Sequence, residues 1–186
     1  NNQVDFTHKL TNLNKLDIKK EITLFLSPNS QYIAIVNIQG QFGYILNLNS
    51  GEIMLELDRG DYHEDASFFT LAFFETSEKQ TLVVHGTNWN RLEISKVETG
   101  ELLTKREMTK PEHDLNHFFG GLSISPDYEW ITDNGWAWSP VGYISAWNLQ
   151  KWLKENPGVT IRRTNTVTGD VQAKKTEPNI IITIWY

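Results

Sequence analysis

Residues 24–52 read LFLSPNSQYIAIVNIQGQFGYILNLNSGE, and the chain returns to this pattern. Ser50-Gly51-Glu52 recurs as Thr99-Gly100-Glu101, 49 residues later. Ser27-Pro28 recurs as Ser125-Pro126, 98 residues later, which is two such steps. Inside the stretch, Ser27-Pro28-Asn29-Ser30 is a turn, because proline presets the first turn angle and Asn and Ser hydrogen-bond locally. Tyr32 to Val36 is rich in β-branched and aromatic residues, as a strand is. Tyr44 to Leu48 is a third strand, and Gly51 supplies the positive φ of a tight hairpin into Ile53 to Leu57. Ahead of the turn, Ile22, Leu24 and Leu26 alternate with Thr23 and Phe25, apolar on both sides, which predicts a buried inner strand.

The reading is therefore all-β, with four antiparallel strands per repeat. A period in the forties that holds four strands marks stacked four-stranded blades. The first repeat spans 17–67. The second, 68–117, has strands at 70–74, 81–85, 91–97 and 102–108, with loops at 86–90 and after 108. The third, 118–158, has strands at 121–124, 130–132 and 143–148, with a long loop over 133–142. Its hairpin is replaced by Leu149, Trp152 and Leu153 at helical spacing, with Asn148 as cap and Pro157-Gly158 as stop. That predicts one short helix near 149–156. Residues 1–16 read as a lead-in arm or an added strand, and 159–186 as terminal strands of a partial blade. The segment 166–171 resembles another hairpin out of register with the period, and the β-prone 180–186 is expected to pair with an edge.

Three blades do not close a ring. Completion by the terminal strands, by further chain or by an oligomer all stay open. The 186 residues suffice for a sizeable core, and 39% hydrophobic content with seven Trp, nine Phe and six Tyr argues against disorder. A net charge of −6 disfavours nucleic acid, and the basic pairs Lys19-Lys20, Lys105-Arg106, Arg162-Arg163 and Lys174-Lys175 read as solvated charges. Absence of cysteine removes disulfides and thiol chemistry and fits a reducing compartment, as does the lack of Asn-x-Ser/Thr, so a cytoplasmic setting is expected. No apolar run reaches membrane-span length. The chain begins at Asn1, which leaves a removed leader open.

Ser27-Pro28-Asn29, Tyr32-Ile33-Ala34, Asn47 to Glu52, Ser125-Pro126-Asp127 and Trp147-Asn148-Leu149 resemble the turn, strand and hairpin pattern of WD40-type β-propeller repeats. The resemblance covers about 17–158 and implies a binding platform. Departures are the absence of a Trp-Asp and of a Gly-His dipeptide. The loop with Trp136, Trp138 and Pro140, followed by Trp152, also resembles bacterial propeller-like proteins of unassigned role.

If the blades stack as in that family, one face gathers the connections that carry His63, His85, Trp89, His113, His117, Asp133, Trp136 and Trp138. Exposed Trp and His are the residue types of interface hot spots, so a protein or peptide partner is expected there. The same tryptophans also suit a small core beneath the helix. A rival reading stacks Trp89, Trp136 and Trp138 on a sugar ring, with Asp133 or Glu129 as the polar group. A third makes the chain an oligomerisation domain. His63-Glu64-Asp65 and Glu112-His113-Asp114 each precede a Phe pair and read as blade junctions rather than metal ligands. Gly121 to Ser125 lacks the last glycine and following helix of a nucleophile elbow. Glu52, Glu101 and Asp170 sit at hairpins rather than facing across a cleft. The expectation is no enzyme, no metal and no cofactor.

Overall fold

The computed structural model of the chain describes residues 12–105, 117–137 and 141–154, and the backbone of 180–184. Three sheets carry the three repeats. Strands β1 (Ile22–Leu26), β2 (Tyr32–Asn37), β3 (Phe42–Asn47) and β4 (Ile53–Asp58) pair antiparallel in chain order. Strands β5 (Leu71–Glu75), β6 (Thr81–Asn88) and β7 (Arg91–Lys96) form the second sheet. The third has β8 (His117–Ile124), β9 (Trp130–Ala137) and β10 (Val141–Asn148), then the helix α1 (Leu149–Lys154), with β11 (Ile180–Ile184) beside β10.

The period is written in the backbone. Ser30, Lys79 and Tyr128 have φ of 57°, 65° and 58°, each 49 residues from the next. The left-handed turn therefore survives where Ser-Pro has become Thr76-Ser77. Ser27 Oγ accepts the Tyr32 N–H at 2.9 Å, and Ser125 Oγ accepts the Trp130 N–H at 2.9 Å. The hairpin glycines Gly51 and Gly100 have φ of 73° and 71°, a conformation that a β-carbon disfavours. Their turns close alike, by Asn47 N–H to Glu52 O and Lys96 N–H to Glu101 O, both 2.9 Å.

Sheets stack through their apolar faces. Tyr32, Ala34 and Val36 of β2 pack with Phe69, Leu71, Phe73, Val83 and Val97 of the second repeat. The opposite face of that repeat, with Leu82, Val84, Leu92 and Ile94, meets Phe119 and Ile131 of the third sheet and Leu149 and Trp152 of α1. Each such side chain contributes roughly 1.5–3 kcal/mol on full burial. Stacking is therefore what holds the short hairpins. Leu13 and Leu16 cover Tyr44 and Leu46 on the outer face of the first sheet.

Three expectations need correction. β1 is not buried on both sides: Ile22, Leu24 and Leu26 are 43%, 59% and 56% exposed. Strand side chains alternate faces, so Phe25 reaches the first core while these three project from an edge strand. The fourth strand of the second repeat does not form among the described residues. Leu102 makes one bridge to Ser95, and Thr104 Oγ1 takes the Ile94 N–H at 2.8 Å in place of a backbone carbonyl. Residues 106–108 of that predicted strand lie outside the described residues. The predicted loops at 86–90 and 133–142 are mostly strand, since β6 runs to Asn88 and β9 to Ala137. As expected of the β-prone segment after 180, β11 pairs with an edge strand, β10, and it does so in parallel. Parallel neighbours need a crossover, and the chain leaves β10 through α1 instead of a tight turn. Asn148 Oδ1 caps that helix through the Lys151 N–H at 2.9 Å. The predicted hairpin at 166–171 lies outside the described residues.

Candidate functional site

The connection leaving β4 is organised by Arg59, which is 5% exposed. Its guanidinium donates to Gly40 O at 2.7 Å, Phe68 O at 2.7 Å, and Ser67 Oγ, Ser67 O and Glu64 O at 2.9 Å each. Burial pushes its pKa down to about 10, still far above neutral, so the side chain stays charged. It also lies 5.4 Å from the Phe69 ring centroid. A planar fork of five donors ties both ends of the loop to the β2–β3 turn. Within the loop so fixed, Gly60 and His63 take φ of 77° and 50°, and Tyr62 is 46% exposed.

Tyr62 meets aromatic residues from two other sheets. Trp89, in the β6–β7 turn, has its N–H held by Asn88 Oδ1 at 2.8 Å, and its ring lies 5.0 Å from Tyr62. Phe118 of β8 is fully buried, 4.8 Å from Trp89 and parallel to Tyr62 at 6.3 Å. Trp136 of β9 is opposite Phe118 in the strand register and stacks on it at 4.2 Å, with 10° between planes. His63 stands edge-on to Tyr62 at 4.5 Å and to Phe118 at 6.0 Å. Phe118 is thus the hub, covered by rings from two connections and from the neighbouring strand β9. Aromatic pairs of this kind add roughly 0.5–1.5 kcal/mol each beyond area burial. Trp89 and Trp136 are half-buried, and Tyr62 forms the open rim.

His117 Nε2 lies 2.7 Å from Asp133 Oδ2, and Asp133 Oδ1 accepts the Gly120 N–H at 2.8 Å. Asp133 is completely buried. The β8–β9 register shifts between Phe118 and Gly121, and the carboxylate occupies that irregularity. Glycine is required here. A methyl on Gly120 would run into the Asn134 carbonyl, and one on Gly135 into Phe118 O, His117 Nε2 and Asp133 Oδ2. A His–Asp pair with a fully buried carboxylate is therefore present although the chain has no Gly-His dipeptide.

The structure brings together Trp89, Trp136 and His63, while the His117–Asp133 pair lies on the same two strands as Phe118 and Trp136, with the His117 ring 4.8 Å from Phe119. His85 stays inside the second sheet. Its Nε2 is 2.9 Å from Ser95 Oγ and its Nδ1 3.2 Å from Gly86 O. Facing a carbonyl makes Nδ1 the donor. Burial lowers its pKa to about 4, so His85 is neutral. Trp138 and His113 lie outside the described residues. Glu129 sits in the turn before β9, about 23 Å along the chain from Trp136 at ~3.3 Å per residue, so it does not join the tryptophans. Asp133 is engaged by His117 and Gly120 rather than open to a ligand. Neither polar group of the sugar reading is at the rings.

Sequence reasoning missed Tyr62, Phe118 and Arg59 as members of the cluster. The Phe118-Phe119 pair was a signal for the hub, because strand alternation sends one ring to each face: Phe119 enters the second core while Phe118 meets Trp136. Among the described residues no group of three His, Asp or Glu side chains is placed to hold a metal. Nor is any helix among them long and apolar enough to cross a membrane.

No protein-family model and no curated protein matches the chain. Among solved structures it is similar to the dihydro-heme d1 dehydrogenase NirN in complex with DHE, at 10% identity and a TM-score of 0.40, over 64% of this chain and 24% of that one. It is also similar to a eukaryotic initiation factor at 13% identity and a TM-score of 0.32, over 68% of this chain and 31% of that one. Likeness this distant carries no argument about function. The chain spans less than a third of the length of either.

Proposed function

We propose that this chain is a propeller-like, non-enzymatic module that binds a protein or peptide through its loop-rich end. One observation carries the reading. Segments from all three sheets converge on a single aromatic cluster, with Tyr62 exposed at its rim and half-buried Trp89 beside it. Aromatic anchors on rigid backing are the usual centre of an interface, since a held ring loses little entropy on binding. The propeller-like arrangement is supported by the 49-residue spacing of the left-handed turns and by the face-to-face stacking of successive sheets.

The test is capture of a purified partner by the whole chain and by the Tyr62→Ala/Trp89→Ala double variant. Both would first be shown folded by far-ultraviolet circular dichroism and by thermal unfolding. Loss of capture by the folded variant is the expected result. Capture at wild-type strength would refute the reading.

A further inference from the structure

We infer that the Tyr62–Trp89 rim is a site for a cationic side chain, a lysine or arginine presented on a basic peptide. This rests on the proposed peptide-binding role and adds the charge of what is bound.

The first argument is the rings themselves. Tyr62 and Trp89 are tilted 49° to one another with centroids 5.0 Å apart. Phe118 supports both from behind. Their outer faces carry the negative lobes of the aromatic quadrupoles, which attract a cation placed within about 6 Å of a ring centroid.

The second argument is the charge of the loop that bears Tyr62. Residues 58–65 contain Asp58, Asp61, Glu64 and Asp65, and Asp61 and Asp65 are exposed on either side of Tyr62 and His63. Among the described residues, the nearby cations offset Glu64 and form ion pairs with neither Asp61 nor Asp65. Arg59 is buried and directed into five protein oxygens, and Arg91, two residues past Trp89, lies 3.8 Å from Glu93. Lys20 is paired with Glu64 at 3.4 Å. Exposed carboxylates on the loop that carries Tyr62 repel phosphates and acidic peptides and attract ammonium or guanidinium groups. The net charge of −6 adds a weak pull at long range. Charge complementarity therefore selects a basic segment over a neutral one.

The experiment titrates the whole chain with a synthetic oligolysine peptide and with the same peptide Nε-acetylated at every lysine, followed by calorimetry and tryptophan fluorescence. Acetylation keeps length and stem but removes the charge. The expected result is binding of the oligolysine, weaker in high salt, and at least tenfold weaker binding of the acetylated twin. Trp89→Ala should weaken oligolysine by about fivefold, and Trp89→Phe should restore part of that. The exposed pair Asp61→Asn/Asp65→Asn should weaken it too, and this variant keeps the test valid if Trp89→Ala fails to fold. Equal binding of the two peptides, with loss in Trp89→Ala, overturns the cationic site and leaves the peptide-binding role standing. Oligolysine binding unchanged in both variants overturns the assignment to this rim. No binding of oligolysine overturns the cationic site outright.

Discussion

Replacing Arg59 by Met should unfasten the loop that carries Tyr62 while keeping most of the apolar stem. Five hydrogen bonds are lost, to Gly40 O, Glu64 O, Ser67 O, Ser67 Oγ and Phe68 O. At about 1 kcal/mol net for each, the ceiling is near 5 kcal/mol. Two of the acceptors, Glu64 O and Phe68 O, are only partly buried and can be rehydrated. Three full losses therefore give about 3 kcal/mol. For a chain of this size that lowers Tm by roughly 6–12 °C. Urea unfolding followed by tryptophan fluorescence would read the stability, and amide hydrogen exchange across 60–70 would show whether the loss begins in the loop. Arg59→Lys should recover little, because an ammonium cannot span acceptors on both sides of the loop as a planar fork does. A Met variant within about 0.5 kcal/mol of the parent, with unchanged exchange in the loop, would refute the claim that Arg59 holds this site together.

Two further outcomes follow from the same geometry. The unfolded chain protonates His85 near its ordinary value while the folded chain resists until about pH 4. Stability should fall as pH drops from 6.5 toward 4, by up to about 3 kcal/mol, and His85→Gln should flatten that slope in urea titrations across this window. Gly135→Ala should cost about 1–3 kcal/mol by forcing a methyl between Phe118 O, His117 and Asp133, whereas Gly121→Ala, with open space at its β-carbon, should be close to neutral in thermal unfolding.

Much of the fold was legible in local chemistry. Turn positions, strand centres and the capped helix follow from Ser-Pro, Gly at positive φ, period-two apolar runs and Asn148, all of which act within a few residues. The lengths of β6 and β9 were not legible, because polar Asn88 and Asp133 look like loop residues, and only in the fold is Asp133 engaged by His117 and Gly120 of β8. The candidate site was legible only in part. Trp89, Trp136 and His63 were found by residue type, yet Phe118 as hub and Arg59 as fastener depend on groups far apart in the chain. His85 shows the reverse, a residue that reads as a surface ligand and is a neutral interior group.

By itself the sequence determined a repeated all-β chain with its turns and hairpins spaced at 49 residues, because those features are set by proline, by glycine at positive φ and by short-range hydrogen bonds; the left-handed φ of Ser30, Lys79 and Tyr128 came from the structure. Tertiary structure alone decided which sheet faces are covered, that β11 joins β10 in parallel, and that rings from three sheets meet at Phe118. These outcomes depend on which surfaces arrive next to one another, and side-chain alternation permits either face to be the buried one until a second sheet covers it.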